Sequence, residues 1–151
     1  MKKTLLPLIL FLALAQFSYA EDSIVISDAW VREVPPGSSV SAGYMTIENK
    51  GKNDDKLINL SSDIAESTEL HKSKVSEDGV ATMEMIEILE LPEGESVELK
   101  PGGMHIMLIG IKESLIGEES VSLKLVFDKA GEVVVEAPVK STRNPADGHH
   151  H

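Results

Sequence analysis

Turn signals recur along this chain at intervals too short for a helical protein. Pro35-Pro36-Gly37, Asp78-Gly79, Pro92-Glu93-Gly94, Pro101-Gly102-Gly103 and Lys129-Ala130-Gly131 break it repeatedly. Proline and glycine at such spacing stop helices and start turns. The runs between them are rich in β-branched residues and alternate between apolar and polar, which is the period of a half-buried strand. Strands are therefore expected over 23–34, 39–48, near Leu57–Leu60, and over 66–75, 80–88, 96–99, 104–111, 121–127 and 132–139. Residues 61–65 read as a loop or a single helical turn. The first strand is expected to bend near Asp28, with Trp30, the only tryptophan, in the core. Gly43 is expected to mark a bulge or a close backbone approach. The succession predicts an all-β domain, an antiparallel β-sandwich or Greek-key barrel.

The start of the chain has a different character. Lys2-Lys3, an apolar run from Leu5 to Ala15 and Ser18-Tyr19-Ala20 form the three parts of a secretory signal peptide, residues 1–20. Residues 21–140 then form the folded domain, and 141–151 a polar tail ending in His149–His151. The apolar run is short and interrupted by Pro7, so no membrane span is expected after cleavage. The periplasm is the expected location. Losing Lys2 and Lys3 with the leader takes the net charge from −11 to −13. A surface this acidic excludes nucleic acid as a partner and suits cations or a basic protein face. There is no cysteine, so thiol redox chemistry, thiolate zinc sites and blue-copper electron transfer are excluded together.

Histidine and methionine are concentrated in one stretch. The two histidines of the folded domain, His71 and His105, and four of the six methionines, Met83, Met85, Met104 and Met107, lie between 71 and 107. His105 and Met107 are two apart, so on a strand they leave the same face. An imidazole–thioether set favours Cu(I), because thioether sulfur is a poor ligand for zinc, magnesium or calcium. Methionine also fills cores. On residue chemistry alone the cluster fits a copper site or structural packing equally. Met45, outside the cluster, reads as core.

The ordered spacing carries more. His71 and Met83 are followed after 21 residues by His105-x-Met107, and this pattern resembles the signature of the periplasmic copper chaperone family called PCuAC. Ala29-Trp30-Val31-Arg32, Ser41–Ile47, Glu69-Leu70-His71 and Leu99–Gly103 resemble the family's flanking segments, and the likeness covers residues 24–138. It implies a cupredoxin-like β-sandwich or barrel holding Cu(I) through His71, Met83, His105 and Met107. It also implies delivery of that ion to cytochrome c oxidase assembly, either to the subunit with the dinuclear copper centre or to a thioredoxin-like assembly factor. Many members carry Met directly after the first His; here the residue is Lys72. Met85 is expected on the site side and Met104 in packing. The His149–His151 tail suits a second ion, Cu(II). The protein is expected to act as a monomeric carrier rather than an enzyme. Copper buffering through the same site, and a β-sandwich module whose His and Met are only structural, are the competing readings.

Overall fold

A computed structural model describes residues 23–142. The expected leader, residues 1–20, and the His149–His151 cluster lie outside them. Ten strands follow one another: β1 Ile24–Arg32, β2 Val40–Asn49, β3 Asp55–Ser61, β4 Ala65–Val75, β5 Ala81–Ile86, β6 Leu89–Leu91, β7 Ser96–Leu99, β8 Met104–Ile111, β9 Ser120–Phe127 and β10 Gly131–Lys140. There is no helix among the described residues, and residues 62–64 form the turn that leads from β3 into β4. The domain is an all-β sandwich, as the turn spacing requires.

The strand order is β5-β4-β8-β2-β1-β10-β9-β3-β6, with β7 also on β2. One half contributes Val31, Met45, Ile47, Leu70, Ile106 and Leu108 to the core; the other contributes Leu57, Leu91, Leu123, Leu125, Phe127 and Ala137. Pairing is antiparallel throughout, except where β1 meets β10 in parallel through Val31↔Val139 and Arg32↔Lys140. β6 is the strand missing from the sequence reading. Its three residues pair with β3 and bury Leu89 and Leu91, but three residues are too few to display a period.

Two irregularities decide which side chains face outward. In β1 the register shifts between Ser27 and Trp30, with Asp28 at φ 53°. Aspartate is among the residues that tolerate this left-handed conformation. Upstream of the bulge, Ile24 and Ile26 face the core; downstream, Val31 does, at 0% exposure. Trp30 is therefore not a core residue. The extra residue turns it to the outer face, where its ring lies 4.5 Å from that of Tyr44. A bulge changes the inward parity of everything that follows it.

The second irregularity separates β7 from β8. Both run antiparallel to β2, β7 against Met45–Glu48 and β8 against Val40–Gly43. They are two collinear pieces of one path, and Pro101-Gly102-Gly103 makes an excursion rather than a reversal. Gly102, at φ 81°, supplies the left-handed residue. Backbone hydrogen bonds Lys100 N–H to Met104 O (2.8 Å) and Gly103 N–H to Lys100 O (3.0 Å) close it. Gly43 is no bulge: its pairing with Val31 and Ile106 is regular, and a Cβ there would make ordinary contacts.

Asp55, at the start of β3, clamps the second half. Its carboxylate accepts backbone N–H groups from Lys56 (2.8 Å), Lys129 (2.9 Å) and Ala130 (2.9 Å), tying β3 to the β9–β10 turn. Burial pushes its pKa up, but those three donors outweigh it and hold the carboxyl below its ordinary value. A depressed native pKa means stability that is complete above about pH 3.9, the unfolded aspartate value. That stability fades as pH falls through the native one. Asp55→Ala strands three donors and is expected to cost about 3 kcal/mol in urea unfolding at pH 7. The variant should also show a shallower loss of stability than the native chain as pH drops below about 4.

Candidate metal centre

β4 and β8 are adjacent antiparallel strands, and their register sets His71 directly opposite His105. Cross-strand partners share a face. The imidazole centres are 6.2 Å apart, with planes tilted by 44°. A metal–imidazole bond is about 2 Å long, so one ion bridging two rings holds their centres roughly 5–6.5 Å apart. The pair stands at the open end of that range.

The neighbouring rows supply sulfur. Met85 of β5 is directly opposite His71, and Met83, two residues earlier, is opposite Ser73. Met107 stands opposite Glu69 on one side and Ala42 on the other. All four expected ligands, His71, Met83, His105 and Met107, thus lie on the outer face of this half, with Met85 among them. Met104 alternates with His105, faces the other way and packs against the core. Lys72 is opposite Met104 and Glu84, on the face away from His71. A thioether at position 72 would not point with the imidazoles, so this departure removes nothing from the site.

The two rings are held differently. His105 is buried, and its Nδ1–H donates to the Gly103 carbonyl at 3.0 Å. That carbonyl belongs to the excursion before β8, and it leaves the Nε2 lone pair unspent. His71 donates from Nε2 to a Glu69 carboxylate oxygen at 2.7 Å. Its Nδ1, with the remaining lone pair, is buried and has no hydrogen-bond partner. A buried unpaired polar atom is costly, and a cation would relieve it. Glu69 also accepts from Ser67 Oγ at 3.1 Å. The His71 hydrogen bond first, then the Ser67 one, hold the Glu69 carboxyl below its usual range.

Beside the pair lies a concavity of about 380 Å³ lined by Met83, His105 and Met107, with Ser73, Arg32 and Tyr44 among its other walls. Arg32 Nη2–H donates to Tyr44 Oη at 2.7 Å, and burial raises the Tyr44 pKa against the pull of Arg32. Among the described residues no group of three or more His, Cys, Asp or Glu converges. In the sequence Glu69 reads only as part of the flanking segment Glu69-Leu70-His71, and its hydrogen bond to His71 is the feature the structure adds. Its signal was the two-residue spacing to His71, which on a strand puts carboxylate and imidazole side by side.

The LpqE-like lipoprotein family matches residues 24–139. The chain belongs to this LpqE-like, or PCuAC, family. "Putative lipoprotein Lxx21020" of Leifsonia xyli is 32% identical over 120 residues, covering 79% of this chain and 70% of its own length. The copper-bound PCuAC domain from PmoF2 superposes with a TM-score of 0.66 at 28% identity, covering 79% of this chain and 93% of that one. The Cu(I) form of DR1885 from Deinococcus radiodurans gives 0.62 at 31% identity, with 85% and 86% covered.

Within this PCuAC domain, Glu69 fixes which nitrogen of His71 keeps its lone pair. Glu69→Gln retains the shape and removes the charge. With His71 as a copper ligand, it is expected to weaken copper binding by about 10–100-fold, the usual cost of losing such a partner, in competition against a chelator. The unfolding midpoint should stay close to that of the native chain, because Glu69 is part-exposed.

Proposed function

We propose that this protein is a copper chaperone of the cell envelope. It takes up Cu(I) through His71, Met83, His105 and Met107 and passes it to cytochrome c oxidase assembly, either to the subunit with the dinuclear copper centre or to a thioredoxin-like assembly factor. The observation that carries this reading is the His71–His105 cross-strand pair, with two unspent lone pairs flanked by thioethers in a chain without cysteine. The copper-bound and Cu(I) forms of the related domains support copper as cargo. The lipoprotein name of the Leifsonia relative and the leader-like residues 1–20 support an envelope location, the periplasm here.

The ligand chemistry suits carriage. Thioethers bind metal without losing a proton and cannot be lost to disulfides. Two neutral imidazoles and two soft sulfurs favour the reduced ion over Cu(II). A neutral set near the surface releases its ion by ligand exchange with an acceptor, one bond forming as another breaks. A catalyst would instead keep a coordination position open for substrate. The His149–His151 cluster is proposed to take a separate Cu(II) ion.

Titration of residues 21–151 with Cu(I) against a competing chelator is expected to give one equivalent. His71→Ala, His105→Ala and Met107→Ala should each weaken binding by more than about tenfold, since each removes a direct ligand, and Met83→Ala should weaken it as well. Unchanged affinity in the double variant His71→Ala/Met107→Ala would leave the histidines and methionines with a structural role only. A chain ending at residue 147 should lose a Cu(II) equivalent and keep the Cu(I) one.

A further inference from the structure

We infer that Met85 is a second thioether donor for the same ion, alternating with Met83, so that the site holds three sulfurs for two sulfur positions. This rests on the copper reading above and deepens it.

The register carries the argument. Met85, His71 and His105 form a single row across three neighbouring strands, β5, β4 and β8. Met83 lies one same-face step away in the row of Ser73, about 6.6 Å along the strand. Direct cross-strand partners have Cβ atoms about 5 Å apart, while diagonal ones are about 7–8 Å apart and within reach of long side chains. Met85 is thus the thioether in line with the imidazole pair, and Met83 reaches it diagonally. Met83 shares its concavity with His105 and Met107. Met85 borders a different one, of about 120 Å³, which Glu69 also lines. Met85 thus stands within the His71 row and Met83 one row beyond it, in the row of Ser73.

Exposure points the same way. Met83 is 60% exposed and Met85 51%, so neither fills the core. β5 ends the strand order, and among the described residues no strand pairs along its far side. Both methionines thus stand more than half exposed on one face of a terminal strand. A flexible, polarisable side chain is suited to swinging between partners. The step is a substitution at the metal: the Cu–S bond to Met83 breaks as the bond to Met85 forms. No proton or electron moves, and the charge of the site is unchanged.

The test is Cu(I) titration of protein carrying ¹³C-methyl methionine, alone and as Met83→Leu, Met85→Leu and the double variant. Leucine keeps the bulk, and both positions are exposed, so folding should be retained and is checked by the amide spectrum. The Met85 methyl signal is expected to shift on Cu(I) addition in Met83→Leu. The double variant should bind about tenfold or more weakly than Met83→Leu, while Met85→Leu alone stays within about twofold of the native chain; independent donors would cost the same in both backgrounds. Copper release to a chelator should slow in Met85→Leu. A Met85 methyl that stays still in both the native chain and Met83→Leu, with the double variant equal to Met83→Leu, would overturn the inference while the Met107 methyl still responds. A silent Met107 methyl as well would overturn the copper reading itself.

Discussion

Everything on the outer face depends on the register between β4 and β8. Strand side chains alternate, so a slip of one residue would send His71 and His105 to opposite faces. The core prevents it: Leu70 and Ile106, also cross-strand partners, are 4% and 0% exposed, and a slip would carry one of them into water. Burying each is worth about 1.5–3 kcal/mol. The apolar residues that interleave with the candidate ligands thus determine where those ligands stand. Polar chemistry on one side of the sheet is positioned by hydrophobic packing on the other.

The irregular segments complete that face. The Asp28 bulge delivers Trp30 and Arg32 to the side that carries the histidines, and the excursion at Lys100–Gly103 brings a carbonyl to His105 Nδ1. Neither segment needs much sequence to encode. One residue tolerant of positive φ suffices in each, Asp28 or Gly102, with ladder hydrogen bonds on both sides to hold it.

Much of this was legible in the residues. Proline–glycine punctuation located the turns, alternation located the long strands, and parity alone separated Met104 from His105 and Met107. What stayed hidden was non-local. Trp30 reads as core until the bulge is counted, because its position in an unbroken strand would match Ile24 and Ile26. The collinearity of β7 and β8 depends on both finding β2, and a Pro-Gly-Gly segment between two strands looks like a reversal. The parallel contact of β1 with β10 joins segments more than a hundred residues apart. Glu69 shows in the sequence only as a flanking residue, because a carboxylate's identity does not say that it orients a neighbouring imidazole.

The imidazoles and the thioethers have different mechanical characters. Both histidines sit on inner strands, their rings clamped by a carbonyl and a carboxylate, and their backbones belong to a hydrogen-bonded ladder. Met83 and Met85 project from the outermost strand into solvent, where side chains change rotamer in picoseconds to nanoseconds. A metal shared between these groups would have two fixed anchors and a pliant arm. Its residence time would then be governed by the strength of the metal–sulfur bonds, with no hinge or flap to wait for.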